Sequence, residues 1–322
     1  MEYINYGATI ISLMSVGILY EKYKNYIADD DDTKNYELVR KYLLNDSTLA
    51  QSKRPIIWIH NEYNQNSRFW SSFGSRNSYD LNQPYLHLTI KSIIDKCGDD
   101  FNVCLIDDDS FGNIIPDWNI NLQLVSDPIK NRLRQLALAR LLNTYGGFLV
   151  PNSFLCFENL VGIYKSGVKA DKIFVGELIN KTITSENKMY APSTKFMGCK
   201  KNNKTMKNYI QYLENINSRD YTEESNFIGY ESLWCNNKIM SGEINVITSD
   251  KLGIQDCTGN PVTIERLIGN SFIDLCNTTH GLYIPQDEIL KRTTFQWFAR
   301  LSIKQALDSD TNIGKYLLAS ND

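Results

Sequence analysis

A segment in the middle of the chain constrains the fold most strongly, because a long amphipathic run there meets two consecutive glycines, Gly146 and Gly147. Apolar residues recur before the glycines at spacings of three and four, which predicts a helix with one broad buried face. These residues are Leu133, Leu136, Ala137, Leu141, Leu142 and Tyr145. Either glycine can adopt positive φ and end the helix. The apolar run 148–150 then predicts a short buried strand.

Strands and helices alternate on both sides of this segment, which predicts an α/β fold. Apolar runs bounded by polar residues predict strands at 55–60, 101–106, 172–177 and 194–199. Helices are predicted at 84–97, 204–216 and 222–236, and an aromatic-rich helical segment is predicted at the C-terminal end. Ligands of open α/β sheets bind outside the carboxyl ends of the strands, so the end of the first strand, at His60, is a candidate position.

The helix that runs into Tyr145-Gly146-Gly147, with the apolar strand and corner after it, resembles the sugar-nucleotide glycosyltransferases of GT-A fold. The similarity is to the capsular-polysaccharide-synthesis type and to the DXD sugar-binding-region family, and it covers about residues 55–235. It implies a Rossmann-like mixed sheet flanked by helices, a nucleotide-sugar donor, and a glycan or protein acceptor. The corner at 150–154 and the tail at 281–292 also look like a protein group encoded by giant DNA viruses.

The chain departs from this family at the residues that carry its chemistry. The family's corner has a carboxylate that helps a divalent metal hold the donor diphosphate, a Lewis-acid role. Here the corner is Pro151, Asn152 and Ser153. The helix Asp and Arg of the family correspond to Gln135 and Leu138. These departures favour a weakly active or inactive glycosyltransferase-like protein.

The resemblance and the strand ends together give a set of expected donor-binding residues. They are Trp58, His60, Asp107, Asp108, Asp109, Arg132, Gly146, Gly147, Asn152 and Ser153. Core packing is the favoured alternative for Trp58, and a structural hydrogen bond is an equal alternative for His60. Glu231 is the candidate catalytic acid, because Glu223 and Glu224 are better explained as charges at a helix start.

Three consecutive carboxylates, Asp107, Asp108 and Asp109, follow the second predicted strand. Asp107 and Asp109 could bind Mg²⁺ or Mn²⁺ through oxygen ligands, which would make one of these ions a cofactor. The alternative is a solvated turn that caps the following helix. Members of the resembled family carry a similar acidic turn here in addition to their metal corner, so capping is favoured and no metal ligand is assigned.

The N-terminal part divides into an apolar segment, 1–28, and an acidic linker with a short helix, 29–53, ahead of the α/β domain at 54–322. Residues 3–20 carry no charge, and as a helix they would span about 27 Å. They are interpreted as a membrane anchor or as a helix that docks on a protein partner. Lys22 and Lys24 would keep the domain on the cytosolic side. The absence of a basic segment before residue 3 argues against secretion.

Charge and cysteine content narrow the functional classes. The net charge of −3 gives no reason to expect nucleic acid as a partner. The seven cysteines show no metal-ligand spacing, and their odd number predicts reduced thiols in a cytosolic-type compartment.

Two alternatives to the weakly active glycosyltransferase-like protein stay open. One is an active, metal-independent transferase in which Asn152 and Ser153 hydrogen-bond the donor while Lys130 and Arg132 offset its charge. The other is a structural or virion-associated binding protein on the same scaffold.

Overall fold

The computed structural model describes residues 54–63, 81–182, 184–218 and 229–321. The predicted segments 1–28 and 29–53 lie outside these ranges, as do Glu223 and Glu224. Within them, no helix is long and apolar enough to cross a membrane. The described part of the chain is an α/β fold in which helices flank a six-stranded mixed sheet.

Eight strands form two sheets. In chain order they are β1 (Ile56–His60), β2 (Asn102–Ile106), β3 (Gly147–Leu149), β4 (Phe154–Cys156), β5 (Ile173–Ile179), β6 (Tyr190–Cys199), β7 (Ile244–Ile247) and β8 (Gly281–Tyr283). The large sheet has the order β2-β1-β3-β6-β5-β7, and β4 and β8 form an antiparallel pair. Only β6 runs antiparallel to its neighbours in the large sheet, so this sheet is mixed.

Ten α-helices surround the sheets in the described ranges. They are α1 (Leu86–Cys97), α2 (Phe111–Ile114), α3 (Ile129–Tyr145), α4 (Val161–Gly167), α5 (Lys204–Asn217), α6 (Tyr230–Met240), α7 (Ile264–Ile268), α8 (Gln286–Lys291), α9 (Ile303–Leu307) and α10 (Asn312–Asn321).

The apolar run of β1 is continuous because both faces of the strand are buried. Successive side chains of a strand point to opposite faces. Ile56 and Trp58 pack with α3 and α5, whereas Ile57 and Ile59 pack with α1 and α4. A third apolar cluster joins α1 to β8 and the C-terminal helices. The C-terminal segment is therefore packed onto the same domain as the sheet.

The junction between α3 and β3 has the predicted form. Gly146 and Gly147 have φ of 74° and 109°, and the Gly146 N–H donates to the carbonyl of Leu142 as the helix ends. The indole N–H of Trp58 donates to the carbonyl of Gly146 at 2.9 Å. A Cβ atom on Gly147 would lie 2.3 Å from the carbonyl oxygen of Ile56. The glycines therefore allow α3 to end directly against β1.

Two helix predictions are corrected by the structure. Gly229 has a left-handed φ of 69° and precedes α6, so the described part of the helix predicted at 222–236 begins after Gly229 and extends to Met240, and residues 222–228 lie outside the described ranges. The aromatic segment near Phe295 forms turns and a 3₁₀ helix, Phe298–Arg300, instead of a long helix. The backbone N–H groups of Phe298, Arg300 and Leu301 donate to carbonyls three residues earlier, which is the 3₁₀ pattern. Phe295 and Phe298 are buried in this conformation.

The prediction that all seven cysteines are free thiols is wrong for one pair. Cys257 and Cys276 form a disulfide with Cα atoms 4.9 Å apart. The chain folds back between these two cysteines and brings them together. An odd total number of cysteines does not exclude one disulfide. The other five cysteines, Cys97, Cys104, Cys156, Cys199 and Cys235, are buried free thiols.

Candidate functional site

A cavity of about 1060 Å³ opens at the carboxyl ends of β1, β3 and β5. The sheet continues from β1 to β2 on one side and from β1 to β3 on the other, so the cavity lies at a topological switch point. Its wall includes one face of α3, the corner after β3, the start of β6, and α8. The volume suits a molecule of cofactor size.

The corner after β3 is built from neutral amides. Nδ2 of Asn152 donates to Oδ1 of Asn61 at 2.8 Å, and Nε2 of Gln286 donates to Oδ1 of Asn152 at 2.7 Å. We call Asn61, Asn152 and Gln286 the amide ladder. The hydroxyl of Thr89 donates to the backbone carbonyl of Asn152, whose side chain is almost fully buried. The corner is thereby held by β1, α1 and α8 together.

A backbone hydrogen bond at Ser153 links the corner to the segment after β8. The carbonyl of Ser153 accepts from the Ile284 N–H at 3.1 Å, and the residue is fully buried. Its hydroxyl has no hydrogen-bond partner among the described residues. Ser153 borders the cavity, but its hydroxyl is shielded from solvent.

A charged cluster joins the ends of β1 and β2 to α3. Arg134 makes a bidentate contact with Asp108, with distances of 2.8 Å between Nε and Oδ1 and 2.7 Å between Nη2 and Oδ2. Nη1 of Arg134 lies 2.8 Å from Oε1 of Glu62. His60 Nε2 lies 3.0 Å from Oδ1 of Asp108, and the His60 ring stacks on Phe111. Burial alone would raise the pKa of Asp108. Hydrogen bonds from His60 and Arg134 outweigh burial, so that pKa lies well below its ordinary value.

The other two carboxylates of the aspartate run accept hydrogen bonds, Asp107 within the turn after β2 and Asp109 from a residue beyond α2. Oδ1 of Asp107 accepts from the N–H and the hydroxyl of Ser110, at 2.9 and 2.6 Å. Oδ1 of Asp109 accepts from the side-chain amide of Gln123 at 2.9 Å. This arrangement fits a local turn that precedes α2. Among the described residues, no three His, Cys, Asp or Glu side chains are grouped to hold a metal.

Several expected donor-binding residues lie outside the cavity lining. Trp58 is fully buried beneath it, and Gly146 and Gly147 form the junction described above. Arg132 is buried with its guanidinium 6.0 Å from the centre of the Tyr230 ring. The aspartate run also lies outside, and Asp108 is linked to the cavity through His60 and Arg134.

A different arginine of α3 from the predicted Arg132 lies at the cavity. Arg134 lines the cavity, together with Asn131, Gln135 and Leu138. These positions are separated by three or four residues and so share one helix face. That spacing was available in the sequence. The spacing could not show whether this helix face points to the cavity or to solvent.

Glu231, the predicted acid, does line the cavity. The Thr194 hydroxyl donates to its Oε2 at 2.5 Å, and the Tyr230 hydroxyl donates to Oε1 of the neighbouring Gln135 at 2.7 Å. Burial raises the pKa of Glu231, although hydrogen bonds from Thr194 and Gln135 oppose the rise. A carboxyl group whose pKa is raised toward neutral pH is suited to general acid–base chemistry.

Residues near the C-terminal end contribute a part of the site that the sequence did not indicate. Lys195 Nζ lies 2.6 Å from Oδ2 of Asp287 and 3.3 Å from the hydroxyl of Tyr283. These contacts connect β6 with β8 and α8. The cavity is therefore shaped by both halves of the described chain.

Comparison with protein families and with curated proteins identifies no relative of this chain. No protein-family model matches this chain, and no curated protein matches it significantly. The functional assignment therefore depends on the fold and on the chemistry of the cavity.

Proposed function

We propose that this chain binds a nucleotide sugar in the manner of a GT-A glycosyltransferase, and that metal-assisted transfer in it is weak or lost. The observation that carries the proposal is the amide ladder. It occupies the corner where the resembled family places a metal-binding carboxylate, and it joins β1 to α8 there. A neutral amide does not supply the charge that holds a divalent metal on a diphosphate.

The fold supports a nucleotide-binding role. The cavity opens at a switch point of the sheet, where open α/β proteins bind their ligands. The paired glycines, the short buried β3 and the polar corner follow one another as they do in the resembled family. The described residues thus supply a scaffold and a cavity of suitable size.

The chemistry of the corner suits hydrogen bonding to hydroxyl or phosphoryl oxygens. A side-chain amide has two N–H donors, and Asn152 uses one of them for Asn61. The loss of a metal Lewis acid removes several kcal/mol of transition-state stabilisation. Binding can therefore persist while transfer slows.

Glu231 supports the alternative of an active, metal-independent transferase. It shares the cavity with Asn152, and its pKa is raised by burial. In such an enzyme the ionised Glu231 would take the proton of the acceptor hydroxyl as that oxygen bonds to the anomeric carbon of the sugar. The bond from this carbon to the nucleoside diphosphate would break, and the cavity's basic side chains would stabilise the departing diphosphate.

The test measures the melting temperature with UDP-, GDP-, CMP- and ADP-sugars, each with Mn²⁺ and with EDTA. A ligand that binds the native state raises the melting temperature according to its excess over Kd. We expect one nucleotide sugar to do so equally in both conditions, and Asn152→Ala to abolish the shift. Asn215→Ala, at an exposed site on α5, is the matched control.

A shift that requires Mn²⁺ would contradict the neutral corner, and no shift at millimolar ligand would reject nucleotide-sugar binding. Release of nucleoside diphosphate that disappears in Glu231→Gln, with binding retained, would favour the active transferase.

A further inference from the structure

The basic side chains around the cavity divide into two groups. Four of them make ion pairs with acidic residues. These are Arg134, Lys181, Lys195 and Arg292. Lys291 and Arg300 also line the cavity, and neither has an ion pair with any residue that the structure describes. Both side chains are exposed. Two positive charges at the edge of the cavity are thus available to an anion.

The two residues stand on a segment that is fixed against the corner. Gln286, at the start of α8, contacts Asn152, and Lys291 ends the same helix. At 1.5 Å per residue, these two backbone positions are about 7.5 Å apart along the helix axis. Arg300 ends the 3₁₀ helix after α8, where the carbonyl of Ala299 accepts a hydrogen bond of 2.6 Å from the Gln83 N–H. The backbone that carries both charges is therefore anchored.

We propose that Lys291 and Arg300 form an anion clamp for the diphosphate of the bound nucleotide, and so replace the charge of a divalent metal. The inference rests on the nucleotide-binding function proposed above. Each phosphoryl group of a nucleotide-sugar diphosphate carries one negative charge at neutral pH, and the clamp offers one ammonium and one guanidinium. The guanidinium can donate two parallel hydrogen bonds to phosphoryl oxygens.

The acidic residues of α8 form their ion pairs with other basic residues. Asp287 is paired with Lys195, and Glu288 with Lys181 and Arg292. Lys291 attracts Asp287 through their charges without forming an ion pair with it. The basic residues that the sequence offered for this role are placed elsewhere, because Arg132 is buried and Lys130 does not line the cavity. The C-terminal segment thus provides the charge that the neutral corner lacks.

The test measures Kd by calorimetry in EDTA for UDP, GDP, CDP, ADP and inorganic pyrophosphate, and for the corresponding nucleosides. We expect the diphosphate that binds best to lose at least tenfold in affinity in Lys291→Gln/Arg300→Gln, with a weaker dependence on salt. Binding of its nucleoside should not change. The control is Lys207→Gln/Lys304→Gln, which removes the same charge from exposed sites outside the cavity.

The outcomes separate this inference from the function on which it rests. If a nucleoside diphosphate binds the wild type and the Lys291→Gln/Arg300→Gln variant equally, the clamp is wrong and nucleotide binding stands. An equal loss in the control would also reject the clamp, because it would show a general charge effect. If neither the diphosphates nor pyrophosphate bind the wild type, the proposed function and the clamp both fail.

Discussion

The side-chain amide of Gln286 donates a hydrogen bond of 2.7 Å to Oδ1 of Asn152, although 134 positions separate the two residues. This bond joins the first turn of α8 to the corner after β3. Because only 3% of Asn152 is exposed, little solvent reaches its side-chain oxygen to replace this bond.

Replacing Gln286 with Ala should therefore destabilise the protein by about 1–3 kcal/mol, the usual cost of an unsatisfied buried polar atom. Chemical denaturation measures the change, and Gln211→Ala, on the exposed face of α5, is the control. Equal free energies of unfolding for Gln286→Ala and the wild type would show that this bond contributes little.

Replacing Gly147 with Ala should be much more costly, at roughly 2–5 kcal/mol. The new Cβ would lie 2.3 Å from the carbonyl oxygen of Ile56, and φ is 109° at this position. Thermal unfolding can test this against Gly162→Ala on α4, where a Cβ meets no atom within 4 Å. The control should match or exceed the wild type in stability. Similar losses at both positions would contradict the proposed close approach of β1.

The pKa of Asp108 predicts a stability change at acid pH. Because this pKa is lowered in the folded state, the ionised carboxylate stabilises the protein above its unfolded pKa, about 3.9. That contribution is lost as pH falls toward the folded-state value. Asp108→Asn should thus be less stable than the wild type by about 1–3 kcal/mol at pH 7. This loss lies between the usual contribution of an exposed ion pair and the usual cost of breaking a buried one.

The difference between Asp108→Asn and the wild type should shrink as the pH falls below about 4. Urea unfolding across this range measures it. Asp109→Asn, at the adjacent exposed carboxylate, is the control. A difference that stays constant with pH would assign the loss to packing instead of charge.

Glu231 predicts a pH dependence of opposite sign. Its raised pKa means that the protonated carboxyl favours the fold, and this contribution is lost as pH rises through the folded-state pKa. Glu231→Gln keeps a neutral side chain at every pH. Relative to the wild type, the variant should therefore gain stability as the pH rises above about 4, near the unfolded pKa.

Unfolding of Glu231→Gln by urea at several pH values tests this, with Glu186→Gln at an exposed site as the control. A variant that loses stability relative to the wild type as the pH rises would mean that the ionised carboxylate of Glu231 is stabilised in the fold.

Local patterns predicted the parts of the fold that depend on neighbouring residues. Spacing identified α3, the apolar runs identified β1 and β2, and glycine stereochemistry identified the junction at Gly146. Burial of β1 on both faces explains why its apolar run is unbroken. Each of these features is determined within a few residues along the chain.

The site depends on contacts that no local pattern records. The partner of Asn152 comes from α8, and the disulfide partner of Cys257 is Cys276, beyond α7. The rotation of α3, which turns Arg134 toward the cavity and buries Arg132, is set by packing against the sheet and α6. Single-sequence periodicity gives the faces of a helix, but the rest of the molecule decides which face is inside.

The place of α8 in the cavity wall determines when the cavity is completed during synthesis. The strands of the large sheet all precede residue 248, whereas Gln286, Lys291 and Arg300 follow β8. A ribosome-bound nascent chain that has synthesised the large sheet still lacks this wall. The cavity is therefore complete only after α8 and the segment to Arg300 have left the exit tunnel, and a product terminated before α8 would have the strands of the sheet without this wall.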